Sequence, residues 1–194
     1  MLAGLLFSRK GTLRLADRHG ATREVPLHRY VPRPGFGYVP DQPVLDPHLT
    51  PWQWLAFASG IKDVPVRPEE AEALAQELAL DAAVLGARIS SLSFGNQRKV
   101  ALWAEMATTR ELLVLDEPLI GLDPFAIRAF ERAAQAFAAG GRGVLLSTHL
   151  LAEAETMATH VGVIHQGRTV REGTLEAVRE GGTLREAFLE LAAP

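Results

Sequence analysis

The chain has no cysteine, so neither a disulfide framework nor a thiolate metal site can hold it together, and a reducing compartment suits it. Its six histidines show no paired metal-ligand spacing. Only three lysines are present, Lys10, Lys62 and Lys99, and none of them follows a glycine. No stretch approaches the roughly 18 consecutive apolar residues of a membrane-spanning helix, so a role at a membrane needs another chain to supply the span. The apolar opening "MLAGLLF" is followed, not preceded, by Arg9 and Lys10, the wrong order for a secretory signal. A net charge of -3 and a pI near 6.1 give no overall electrostatic reason to bind nucleic acid. What is there is 194 residues, 47% of them hydrophobic, enough for one substantial core with an inserted subdomain.

Nine of the twelve prolines lie between Pro26 and Pro68, which reads as a loop-rich, semi-rigid span. Short strands are expected at residues 12–15, 24–31 and 36–39, the last bounded by Pro34 and Pro40. From Pro68, "PEEAEALAQELAL" has a proline and two acids in its first turn and leucines at 74 and 78, the marks of an amphipathic helix. A second helix should start near Ser93. The runs "LLVLD" (112–116) and "GVLLS" (143–147) flank the helical pattern "FAIRAFERAAQAFAA", and this strand–helix–strand order predicts a parallel sheet buried on both faces. "VGVIHQGRTVREG" pairs two strand-like runs around Gln166 and Gly167, and short helices at about 174–180 and 183–192 follow.

The chemistry-bearing residues sit at the ends of these elements. Asp116 and Glu117 end a core strand, where an open parallel sheet delivers residues to its ligand crevice. A single acid there is ordinarily a helix cap. Two adjacent acids, followed by Pro118 and then Asp123, repel each other and are best tolerated beside a cation such as a magnesium-bound phosphate chain. In "SLSFGNQRKVAL", Ser93, Gly95 and Asn96 precede a helical pattern, so free N–H groups at a helix N-terminus could receive an anion, or the serine could be a plain cap. Ser147, Thr148 and His149 end the second core strand, where a lone histidine is more often a satisfied structural residue than a functional one.

Taken together, "GYVPDQP", "LSFGNQRKVAL", "LLVLDEPLIGLDP" and "LLSTHLLAEAE" resemble, in order and spacing, the Q-loop, signature, Walker B with D-loop, and switch-histidine motifs of ATP-binding cassette proteins. The resemblance covers nearly the whole chain. It implies an α/β, P-loop NTPase-like (RecA-like) parallel sheet core, N-terminally truncated, with an inserted helical subdomain. The segments would be 1–43 (core), 44–108 (helical subdomain ending in the signature helix) and 109–194 (core with Walker B, D-loop, switch histidine and C-terminal helices). It implies ATP and Mg2+ as cofactors, with Asp116 and Gln42 or Asp41 on the metal side, Glu117 polarising the attacking water and His149 on the terminal phosphate. Ser93, Phe94, Gly95 and Asn96 would meet a nucleotide held by an opposite cassette, and Asp123 would cross that dimer interface. Partners implied are a transmembrane permease subunit and a second cassette, at the cytoplasmic face of the cell membrane. Trp52, Trp54 and Phe57 offer either a permease-docking surface or the interior of the subdomain.

There are departures. Asp41 stands where the family usually has the Q-loop glutamine, with Gln42 next. Phe94 and Asn96 replace a common glycine and glutamine of the signature. No G-x-x-x-x-G-K-[ST] occurs, so the amides and lysine of a phosphate cradle are missing, and "MLAGLL" resembles the later part of the helix that follows that loop. The expected function is the ATP-hydrolysing subunit of a transporter, on its C-terminal run an exporter, with these residues alone not competent. The alternative is a degenerate, regulatory cassette that completes another subunit's site. DNA-repair and translation cassettes are disfavoured because neither a long coiled-coil insertion nor a second cassette is present. A dinucleotide oxidoreductase is disfavoured by "GFG" lacking a third glycine, and a serine hydrolase by the lack of a nucleophile elbow at Ser147.

Overall fold

The structure, a computed structural model, describes residues 12–16, 22–26 and 35–192, with the side chains of 12–16, 23, 25, 26 and 192 excepted. The helix expected at the opening of the chain and residues 27–31 of the expected second strand lie outside the described residues. The chain divides into two compact units at Ser147/Thr148.

In the first unit, β1 (Thr12–Ala16) and β2 (Thr22–Pro26) form an antiparallel pair. Its core is a three-stranded parallel sheet of β3 (Phe36–Val39), β4 (Leu112–Asp116) and β5 (Gly143–Ser147), in that order. Pairing is in register, Val39 with Leu115 and Asp116 with Ser147, so all three strands end along one edge. The crossover from β4 to β5 is α5 (Pro124–Ala139). It buries Ala126, Ala129, Phe130, Ala133, Ala134 and Phe137, an i, i+3, i+4 stripe facing the core.

The crossover from β3 to β4 is a helical layer: α1 (Pro51–Lys62), α2 (Pro68–Glu77), α3 (Ala82–Gly86), a 3-10 turn (Ile89–Ser91) and α4 (Phe94–Thr108). α1 corrects the loop-rich reading of the proline span. Pro51 occupies the first turn, where its missing N–H costs nothing, and Thr50 and Gln53 close a reciprocal capping box. α4 is buried almost all round and packs on α1, α2 and β3. Trp103 is its packing centre. It is fully buried, its indole N–H donates to the Ala71 carbonyl at 2.7 Å, and the Trp52 ring meets it edge-on at 5.0 Å. Trp52 therefore packs inward, while Phe57 and Ile61 of α1 are exposed.

β3 is an edge of the described sheet, and an edge strand leaves main-chain groups without a partner strand. Glu105 of α4 takes that place. Its Oε2 accepts from the Tyr38 N–H at 2.9 Å and from Lys62 Nζ at 2.6 Å, and Lys62 also reaches Thr108 Oγ1 at 3.1 Å. One carboxylate thus ties α1, α4 and the outer flank of β3.

In the second unit, α6 (Leu151–Met157) precedes the antiparallel pair β6 (His160–His165) and β7 (Arg168–Thr174). The hairpin turns on Gln166 and Gly167, both at positive φ (49° and 75°), the two-residue connection whose twist matches the strands. α7 (Leu175–Arg179) and α8 (Leu184–Ala192) follow, and Ala154, Val163, Val178 and Leu184 form this unit's core.

Candidate functional site

The shared strand edge of the first unit gathers Asp41 and Gln42 beyond β3, Asp116 and Glu117 at the end of β4, and Ser147 at the end of β5. Ser147 Oγ donates to Asp116 Oδ1 at 2.5 Å, which orients that carboxylate at the strand end. The Glu117 N–H donates to the Ser147 carbonyl at 3.0 Å, one rung past the strand pairing. Glu117 itself has left-handed backbone (φ 46°), which a non-glycine residue holds only where its surroundings impose it. Behind Asp116, burial and the nearby carboxylate together push the Tyr38 phenol above its ordinary pKa.

The N-terminus of α4 meets this edge. Ser93 is its N-cap, its Oγ accepting from the Asn96 N–H at 3.3 Å and its carbonyl from the Gln97 N–H at 2.9 Å. The remaining N–H groups of that turn, of Phe94 and Gly95, find no acceptor among the described residues, and the positive end of the helix dipole is there. Gly95 is required by close approach: a Cβ there would lie 2.9 Å from the Gly121 carbonyl. Gly121, at φ +78°, answers it, since a Cβ would strike the half-exposed Phe94 ring at 2.8 Å. The turn that opens α4 and the loop after β4 are therefore packed backbone to backbone. Gln97 holds the preceding turn, its amide donating to the carbonyls of Ile89 (3.2 Å) and Leu92 (3.0 Å).

Arg98 joins the three segments. Its Nη1 donates to the Glu117 carbonyl at 2.6 Å, its Nη2 to the Asp41 carbonyl, and the Asp41 carboxylate lies 3.6 Å away. Desolvation draws this guanidinium below its ordinary pKa, opposed by the charges of Asp41 and Glu117. Asp41, Gln42, Pro43, Phe94, Gln97 and Ile120 line an open cleft, with Gln42 exposed and Asp41 turned toward Arg98.

Asp123 is exposed and caps α5, its Oδ1 accepting from the N–H groups of Phe125 (2.9 Å) and Ala126 (3.0 Å). Those bonds, Ala126's foremost, hold its pKa below the usual carboxylate value. The folded value is thus under the unfolded one, so the stabilisation is full above the ordinary carboxylate range and is lost as pH falls through the depressed value. Asp123→Ala should lower the melting temperature at neutral pH, and the gap from the unaltered chain should close on acidification; a gap constant down to pH 2 would contradict the cap. His149 is exposed, directly after Thr148 at the start of the second unit.

Sequence reasoning missed Arg98, Ser147's bond to Asp116, and Gln97. Arg98 had a readable signal, since it lies on the helix stripe of Ala101 and Leu102, which are buried. The donor set is one of hard oxygens. Among the described residues no group of three or more His, Cys, Asp or Glu side chains could enclose a metal by itself. A strand-end carboxylate, Asp116, and an amide in the connection after the neighbouring strand, Gln42, are oxygen donors of the kind Mg2+ takes together with waters and phosphate oxygens, and too few for a dedicated zinc or calcium cage.

A family description, ABC transporter, matches residues 1–120. The chain belongs to the ABC transporter family. Within that family it is 36% identical, over 89% of its length, to an Fe(3+) ions import ATP-binding protein, FbpC, of Pseudomonas fluorescens, of which it covers 48%. It is 30% identical, over 97% of its length, to the ABC-type transporter ATP-binding protein EcsA of Bacillus subtilis, covering 75% of that protein. The chain thus spans about half of some curated family members and three quarters of others. A solved structure described as the ATP binding subunit of an ABC transporter superposes with a TM-score of 0.79 at 29% identity, across 98% of this chain and 80% of the other. The α/β, P-loop NTPase-like core is that of an ABC ATP-binding subunit.

Proposed function

We propose that this chain acts as the ATP-binding and ATP-hydrolysing subunit of an ABC transporter, working as half of a cassette dimer on the inner face of a membrane beside a permease. The observation that carries the reading is the convergence of Asp116 and Glu117, Asp41 and Gln42, and the N-terminus of α4 along one edge of the parallel sheet, bound together by Arg98. Among the described residues no helix is long and apolar enough to cross a membrane, consistent with a separate permease.

Bound magnesium and ATP would supply the phosphoryl group and neutralise its charge. Asp116, oriented by Ser147, and Gln42 would hold the metal side; Asp41, facing Arg98, is the less suited of the Q-loop pair. Glu117 would orient and accept a proton from the attacking water, and His149 would donate toward the terminal phosphate. Ser93, Phe94, Gly95 and Asn96 would offer their helix N-terminus to a nucleotide held by the opposite cassette, whose interface Asp123 borders. In this scheme 44–108 is a helical subdomain, flanked by core segments 1–43 and 109–194. Export is our reading of direction, resting on the run "HQGRTVREGTLEAVREGGTLREAFLEL"; family members named for iron import and for Nod factor export both match.

A second reading has its own observation. The 194 residues contain no G-x-x-x-x-G-K-[ST], yet the N-terminus of α4 is fully formed, so the chain could complete a partner's ATP site without running its own. Under either reading a polypeptide of these residues alone should release no measurable phosphate from ATP, because carboxylates cannot replace the amides and lysine that hold the phosphates. Magnesium-dependent release by that polypeptide, abolished by Glu117→Gln, would overturn the expectation.

A further inference from the structure

Arg98 is fully buried in α4, whereas its neighbour Lys99 reaches outward to the Ala79 carbonyl at 2.8 Å. Its charge is matched only in part. The Asp41 carboxylate, 3.6 Å away, is half exposed, and the Nε atom is buried without a hydrogen-bond partner, while the Glu117 charge and the face of the Phe94 ring, 5.0 Å from Cζ, supply partial compensation. A guanidinium taken out of water with only partial compensation gains little stability from its charge, and an apolar side chain of similar length would fill the same space without the desolvation penalty. What only a planar fork of donors can do is span two acceptors at fixed separation. Here the two are main-chain carbonyls, of Asp41 and of Glu117, in the connections leaving β3 and β4.

The Glu117 end is the more informative. That residue's left-handed backbone is gripped at both polar groups, its N–H by the Ser147 carbonyl and its carbonyl by Arg98. A small rotation of this peptide would re-aim the carboxylate, and the Asp41 carbonyl fixes the turn that carries Gln42 in the same way. We propose that Arg98 is a positioning residue of the hydrolytic site: it locks the Glu117 and Asp41 main chains into one frame with α4. The Ser93 turn then cannot tilt without moving the water-orienting carboxylate and Gln42 with it. The inference rests on the proposed reading of this edge as an ATPase site.

Two variants test it in the full chain assembled with its permease and second cassette. Arg98→Met keeps the volume and removes both donors; Arg98→Lys keeps the charge, but one ammonium cannot span both carbonyls. Hydrogen–deuterium exchange without nucleotide should speed up about tenfold or more in peptides covering 41–43 and 117–122, while 99–108 and α5 stay protected. With Arg98→Met, kcat should fall about ten- to a hundredfold and the KM for ATP should change by less than about twofold, as loss of orientation predicts. Arg98→Lys should fall between, and it carries the test if the Met variant does not fold. Unchanged exchange in the two loops overturns the proposal. So does uniform loss of protection along α4, or full recovery of kcat by Arg98→Lys, since packing or charge alone would then suffice. If the unaltered assembly hydrolyses no ATP, the ATPase reading fails, and the exchange measurement still decides whether Arg98 holds the loops.

Discussion

Ser93→Arg, placed only in this chain of an assembled cassette pair, should reduce ATP hydrolysis at least about a hundredfold, the scale of losing a preorganised set of anion donors. Ser93 caps α4 at the turn whose Phe94 and Gly95 N–H groups find no acceptor among the described residues, and arginine would set bulk and charge there. The lost cap itself costs about 1 kcal/mol, too little to unfold a helix held by Trp103 and its neighbours. Retained helicity with lost turnover is therefore the expected pair of results. Steady-state phosphate release measures one and circular dichroism the other. Glu117→Gln in the same assembly separates the two proposed readings. A loss equal to that of Ser93→Arg means that Glu117 serves a live site; a much smaller one means that this chain lends its signature turn and little else. Full activity of Ser93→Arg would contradict both.

Trp103→Ala should have the largest effect on stability, about 3–5 kcal/mol, because the indole is fully buried and truncation leaves a cavity that a helix packed on several sides cannot collapse into. The Ala71 carbonyl would also lose its donor and Trp52 its edge-to-face neighbour. Denaturant unfolding is the measurement, with Trp103→Phe as the milder comparison, since it restores much of the volume and not the N–H. A loss below about 1 kcal/mol would mean that the helical layer is not built around this residue.

How far the amino-acid order exposed this arrangement depended on whether the signal was local. "LLVLD", "GVLLS" and the Ser93 turn are local patterns, and the structure has the strands and the helix there. The helix from Pro51 was hidden by a rule applied too broadly, since proline breaks a helix interior but suits its first turn, and Thr50 with Gln53 already spelled the cap. The burial of Arg98 was readable from the stripe it shares with Ala101 and Leu102, but its task was hidden for a different reason. Its partners are the main chains of residues 41 and 117, far away along the chain, and a carbonyl leaves no mark in composition or periodicity. Ser147 is similar, a side chain given its task only by strands pairing in register.

The helical layer leaves the sheet after β3 and returns to β4, the strand hydrogen-bonded beside it. An excursion that starts and ends on neighbouring rungs can be exchanged between related chains without disturbing the order of the sheet. Its boundary conditions are few and specific: an acceptor at position 105 for the Tyr38 N–H, a forked donor at position 98, and no side chain at position 95. A transplant that keeps those joints can change what docks on its outer helices while the carboxylate edge stays as it is. Chains built this way can acquire a new outer helical surface by swapping one contiguous piece of gene.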